Sequence, residues 1–161
     1  MMTARYEALA TALGDALRRR GEWLGAAESC TGGLIAAACT SVAGSSEWFE
    51  RGFVTYSNAA KTSVLGVPAG LIDAHGAVSE PVVEAMARGV LARAPVQWTV
   101  AVTGIAGPGG GVPGKPVGTV WLCWGDAARL DVRRLQLGGD RAAIRERTVE
   151  AALRALLERL S

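Results

Sequence analysis

Between Trp23 and Ile35 the hydrophobic pattern changes from strand to helix, across Glu28-Ser29-Cys30-Thr31-Gly32-Gly33. Trp23, Leu24, Ala26 and Ala27 form an apolar run of strand length, and a helical pattern starts at about Thr31. Two glycines at such a junction let backbone approach a ligand closely and leave amide N–H groups facing outward. A hydroxyl at the C-terminal end of a strand, facing the first turn of a helix, stands where open α/β sheets place their chemistry. Ser29 and Thr31 are equally suited to capping that helix. A catalytic reading of Ser29 therefore depends on partners elsewhere in the chain.

The flanking segments set the fold class. Tyr6, Leu9, Ala10, Leu13 and Leu17 recur at helical spacing, which predicts an amphipathic helix over 3–20, stopped by Gly21. A small-residue helix over about 31–40 follows the junction. A strand is expected over 49–57, and then a short helix capped by Ser57 or Asn58 and ended by Gly66. A short turn covers 69–74, and Ser79-Glu80-Pro81 opens a helix to about Ala92. Strands are predicted at 98–102, 117–124 and 129–137. The last loses strict alternation between Val132 and Leu135, as an edge or bulged strand does. Gly138-Gly139-Asp140 begins a final helix with Ile144, Thr148, Ala151, Ala155 and Leu156 on its apolar face. This order predicts an α/β fold of three layers: a mixed, mostly parallel sheet with helices on both faces. No repeat or linker interrupts it, so residues 1–161 read as one domain.

Composition narrows the partners. A net charge of +2, with no basic stripe, gives no footprint for nucleic acid. Cys30, Cys39 and Cys123 show no CxxC spacing, so neither a disulfide framework nor a zinc site follows, and a reducing cytoplasm fits. The charged, amphipathic first twenty residues are unlike a signal peptide, and no apolar run has bilayer-spanning length. A 50% hydrophobic content and five tryptophans hint at a buried interface between subunits.

Of seventeen basic residues only two are lysine, Lys61 and Lys115. Lysine alone among the two cations can lose its proton on burial and serve as base or nucleophile. Lys61 follows a strand, as Ser29 does, and Tyr56 ends that strand. Were the two strands neighbours, Ser29, Lys61 and Tyr56 would share one cleft as nucleophile, base and proton relay. The competing reading leaves both lysines as ordinary surface residues. A Ser-His-Asp triad would need His75, the one histidine, with Asp73 two residues away and badly placed to relay to it. Histidine pairs and carboxylate clusters with metal-ligand spacing are absent from the sequence. Gly109-x-x-x-x-Gly114-Lys115 imitates a phosphate-binding P-loop, yet Pro116 stands where serine or threonine should hold magnesium, and a strand follows instead of a helix. The glycine-rich backbone there is suited either to holding an anion or to forming a flexible connection.

Six motifs in order resemble the CinA C-terminal domain family. They are Ala27-Glu28-Ser29-Cys30-Thr31-Gly32-Gly33, Gly52-x-x-Thr55-Tyr56-Ser57-Asn58-x-x-Lys61, Leu65-Gly66-Val67, Gly76-Ala77-Val78-Ser79-Glu80, Thr103-Gly104-Ile105-Ala106-Gly107-Pro108 and Lys115-Pro116-Val117-Gly118. The resemblance implies a nicotinamide-nucleotide amidohydrolase. Such an enzyme converts the carboxamide of nicotinamide mononucleotide to nicotinic acid mononucleotide and ammonia, in pyridine-nucleotide salvage, without metal or cofactor. It implies Ser29 as nucleophile with Lys61 and Tyr56 assisting, and a cytoplasmic homodimer. Because Met1 lies just ahead of the matched region, the chain is expected to be the stand-alone form. Amides of the Thr31–Gly33 turn are expected to hold the oxyanion, at about 3–4 kcal/mol per donor. Substrate contacts are expected from Thr103, Gly104, Gly107, Gly109 and Gly110, and from Arg141 or Arg145 at the start of the last helix. Glu28 is expected either to orient the site or to pair with Lys61. Other expectations for the same domain are binding of a nucleotide without turnover, as an accessory domain related to competence or damage, and hydrolysis of another amide.

Overall fold

The structure is a computed structural model and describes residues 4–161. Its helices are α1 (Ala4–Arg20), α2 (Leu34–Thr40), α3 (Asn58–Leu65), α4 (Ala69–His75), α5 (Glu80–Arg93) and α6 (Arg141–Leu160). Its strands are β1 (Leu24–Glu28), β2 (Phe49–Val54), β3 (Trp98–Gly104), β4 (Thr119–Gly125) and β5 (Leu130–Gln136). They form one sheet in the order β2-β1-β3-β4-β5. β1 pairs in parallel with β2 and β3, and β4 is antiparallel to both β3 and β5. Only β4 therefore runs against the common direction, and the sheet is mixed and mostly parallel as expected. β5 lies at the edge, which explains its weak alternation, and it pairs with β4 in unbroken register.

Period-two alternation along β1 and β3 sends side chains to two cores. Leu24, Ala26, Trp98, Val100 and Val102 pack with α1, α2 and α6 on one face. Ala27 and Ala101 pack with α3, α4 and α5 on the other. Trp48, Trp98 and Trp124 are buried in the chain's own interior, so these tryptophans do not mark a subunit interface. Among the described residues no helix is long and apolar enough to cross a membrane.

Several boundaries differ from expectation for local reasons. The helix expected from residue 31 starts at Leu34, because Gly32 and Gly33 adopt left-handed backbone (φ 56° and 107°) that a helix cannot contain. The strand expected through Ser57 ends at Val54. There the chain bends toward α3, with Ser57 accepting the cap bond from the Ala60 amide at 3.0 Å. The turn expected at 69–74 is the helix α4. Ser79 precedes α5 without capping it, since its hydroxyl donates to the Gly76 carbonyl at 2.8 Å. Asp140 caps α6 by accepting from the Ala143 amide.

The placement of α3 depends on a close approach. A Cβ added at Gly89 of α5 would collide with the Leu65 carbonyl oxygen at the end of α3 and lie 3.0 Å from the Leu65 Cβ. Gly89→Ala gains up to about 1 kcal/mol of helix propensity, yet overpacking costs about 1–3 kcal/mol. A net loss of stability is expected in chemical denaturation, and a neutral or stabilised variant would show that the two helices separate freely.

Candidate active site

The three parallel strands end side by side at Glu28, Val54 and Gly104, and the loops leaving them enclose a cavity of about 270 Å³. After β1 the chain turns to α2 on one face, whereas after the neighbouring β2 it turns to α3 on the opposite face. Divergence of adjacent connections opens a crevice at the carboxyl ends of the strands. Ser29 continues the parity of Ala27, and Thr103 that of Ala101, so both point to the α3–α5 side.

Lys61, on the first turns of α3, reaches this point from the same side. It is 1% exposed, and its Nζ lies 3.0 Å from Ser29 Oγ, 3.0 Å from the Thr55 carbonyl and 3.3 Å from the Tyr56 carbonyl. Among the described residues no carboxylate forms an ion pair with it. Burial pulls its pKa below the usual lysine value. The amine donates to both carbonyls and to the serine oxygen; once deprotonated it would keep two N–H groups for the carbonyls and turn its lone pair to the serine hydroxyl. Cys30 also lines the cavity, but burial pushes its thiol up to about 11, which keeps it protonated and unreactive.

Of the residues expected at the site, Ser29, Tyr56, Lys61, Thr103, Gly104, Gly107, Gly109, Gly110 and Arg141 line the cavity. Glu28, Thr31, Gly32, Gly33 and Arg145 do not. Glu28 is fully buried on the α2 side of the sheet, where its carboxylate accepts from Thr31 Oγ1 (2.6 Å) and the amides of Ile35 (2.9 Å) and Ala36 (3.0 Å). It holds the N-terminus of α2 and does not pair with Lys61. Alternation along β1 carried that signal, since Glu28 and Ser29 must point to opposite faces. Arg145 donates to the carbonyls of Cys30 and Thr31, both at 3.1 Å, and so fastens the turn from outside. The Gly32 amide donates to the Ser29 carbonyl at 3.0 Å, which removes it as an oxyanion donor. Tyr56 is 59% exposed, its hydroxyl accepts from Arg141 at 2.9 Å, and its bond from Lys61 is made through the main-chain carbonyl. Asn58, Ala77, Val78, Ile105 and Ala106 complete the lining and were not anticipated, although all five fall inside or beside the motifs. Among the described residues no group of three or more histidine, cysteine, aspartate or glutamate side chains could hold a metal ion.

Residues 6–160 match the model of the CinA C-terminal domain. The chain belongs to the CinA C-terminal domain family. It is 59% identical to a Pseudomonas putida protein named nicotinamide-nucleotide amidohydrolase PncC, over 93% of this chain and 94% of that one. The Escherichia coli K12 protein of the same name is 49% identical, over 92% and 90% of the two chains. The solved structure of the competence/damage inducible protein CihA from Agrobacterium tumefaciens superposes with a TM-score of 0.97 at 42% identity, covering 100% of this chain and 99% of that one. The three-layer fold read from the sequence is therefore a CinA fold.

This CinA domain gives Glu28 a role in stability that can be measured directly. In Glu28→Gln one oxygen becomes an NH₂ group, which must face either the Ala36 amide or the Thr31–Ile35 donors. Leaving such a buried donor unsatisfied costs about 1–3 kcal/mol. Denaturation midpoints should fall accordingly, whereas unchanged stability would mean that water reaches the start of α2.

Proposed function

We propose that this protein hydrolyses the carboxamide of nicotinamide mononucleotide, giving nicotinic acid mononucleotide and ammonia. The observation that carries the reading is the buried Lys61 amine 3.0 Å from the Ser29 hydroxyl, at the mouth of a cavity, in a chain whose relatives bear the name of that activity.

In this reading Ser29 Oγ attacks the carboxamide carbon while Lys61 Nζ takes the hydroxyl proton directly. Holding the base against the nucleophile before substrate arrives removes a reorganisation cost from the chemical step. We assign the tetrahedral oxyanion to the backbone amide of Cys30, a residue that lines the cavity and is next in chain to the nucleophile. As the C–N bond breaks, the Lys61 ammonium returns its proton to the leaving nitrogen, and ammonia departs. Water then attacks the Ser29 ester, with Lys61 again accepting a proton, and the carboxylic acid leaves with Ser29 restored. Tyr56 contributes its carbonyl, which aims the lysine, and its phenol stands with Arg141 at the cavity wall. We assign the nucleotide phosphate to Arg141 and the backbone of Gly107, Gly109 and Gly110, which line the cavity. The reading extends to a homodimer working in the cytoplasm, on the strength of the family resemblance.

Purified protein given nicotinamide mononucleotide in EDTA should release ammonia. Ser29→Ala and Lys61→Met should each lose at least about a thousandfold in kcat, because nucleophile and base act as one unit. Nucleotide binding in calorimetry without ammonia release would favour the accessory-domain reading instead. The base must be neutral to act, so kcat/KM should rise with pH through the Lys61 ionisation. That limb should lie below about 10.4, the ordinary lysine value, because burial lowers this pKa. Arginine stays protonated throughout, so Lys61→Arg should be as inactive as Lys61→Met. A pH-independent rate, or an active Lys61→Arg, would contradict the assignment.

A further inference from the structure

The second lysine lies outside the chemistry just described, yet its contact joins two walls of the cavity. Residues 105–118, between β3 and β4, form a hairpin that covers the site. Its base is closed by Ile105 donating to Thr119 at 2.9 Å and Gly118 donating to Ile105 at 2.8 Å. Its tip is closed by a short bridge between Val112 and Lys115. Gly107, Gly109 and Gly110 present the inner surface of this hairpin to the cavity. The wall facing them is the segment after α4, where Ala77 and Val78 line the cavity.

We infer that Lys115 is a positioning residue, a strap that ties the glycine-rich hairpin to the end of α4 and so sets the width of the nucleotide cavity. Lys115 Nζ donates to the His75 carbonyl at 2.7 Å. Two further cations hold the hairpin by its backbone, Arg141 on the Gly107 carbonyl and Arg134 on the Gly114 carbonyl, at 2.8 and 2.7 Å. Both of these lie on the α6 and β5 side. Among the described residues, Lys115 provides the one side-chain hydrogen bond from the hairpin to the α4–α5 side. On the α6 and β5 side the hairpin is held further by Gln136, which donates to the Val117 carbonyl at 3.1 Å, and by packing of Ala106 and Val117 with Ile144 and Leu137; on the α4–α5 side the Lys115 bond has no such support from another hairpin side chain among the described residues. The Lys115 tie is a single charge-assisted bond on a flexible four-carbon stem, half-exposed at the rim, and it can open and re-form without disturbing either core. The Gly-x-x-x-x-Gly-Lys pattern thus uses its lysine to close a loop over the cavity, where a P-loop would direct it at a phosphate.

The inference rests on the nucleotide reading of the cavity, and two measurements separate their failures. Hydrogen exchange followed by mass spectrometry reads the strap without substrate. Lys115→Met should speed exchange of the 107–114 amides by about tenfold, the equivalent of one lost charge-assisted bond, while global unfolding stays unchanged. With nicotinamide mononucleotide the same variant should raise KM by about tenfold and leave kcat within about twofold, because the strap acts on binding and touches no reacting atom. Lys115→Arg keeps a cationic donor and should restore both readings to within about threefold of the parent. Unchanged exchange in Lys115→Met would overturn the strap, whatever the substrate. Faster exchange with unchanged KM, or a fall in kcat alone, would overturn its role in binding. Absence of turnover by the parent protein would sink the proposed function and leave the exchange result to decide the strap.

Discussion

An amine enclosed in protein with no carboxylate beside it is a costly arrangement, and the Lys61–Ser29 contact is where this fold maintains one. Transferring an ammonium from water into such a site without a counter-charge costs several kcal/mol, and the site responds by favouring the neutral form. Two backbone carbonyls, from Thr55 and Tyr56, and the Ser29 hydroxyl oxygen accept from the amine. In the proposed mechanism, burial, the lack of an acidic partner among the described residues and the pair of carbonyls together fit Lys61 to act as the base. None of them survives if α3 shifts, and α3 is located by the tight Leu65–Gly89 approach on its far side.

The serine is held with equal care from the other face. Glu28 precedes it and points away, drawing Thr31 and the first amides of α2 into a buried cluster. Arg145 fastens the carbonyls of Cys30 and Thr31 from α6. The turn that carries Ser29 is therefore fixed by charge-assisted bonds on the side opposite the cavity, which leaves Ser29 itself to face Lys61. Charged groups at the turn do structural work, and burial lowers the pKa of the amine that contacts the nucleophile.

Much of this was legible in the sequence where the signal was local. The strand-to-helix change at Ser29, the Ser57 and Asp140 caps, the Gly66 stop and the weak alternation of β5 are effects of a few adjacent residues. The union of Ser29 with Lys61 was legible because lysine is so scarce here, and because both residues follow strands that proved to be neighbours. Directions across the sheet were harder to read. Glu28 is expected to orient the site or to pair with Lys61, although strict alternation along β1 sends it to the face opposite Ser29. The Tyr56 phenol and Arg145 depend on how α6 lies over the strand ends, and nothing near them in sequence encodes that. The Lys115–His75 contact spans forty residues between two loops, and only the assembled sheet brings them together.

The central claim is that Lys61 is a neutral amine at working pH, and the scarcity of lysine makes it directly testable. Protein labelled only at lysine gives two side-chain NMR signals, from Lys61 and Lys115, and Lys115→Arg assigns them. The Lys61 signal should titrate below the ordinary lysine value of about 10.4. A Lys61 signal titrating at or above that ordinary value would show a protonated Lys61 facing Ser29, and would contradict its role as the base.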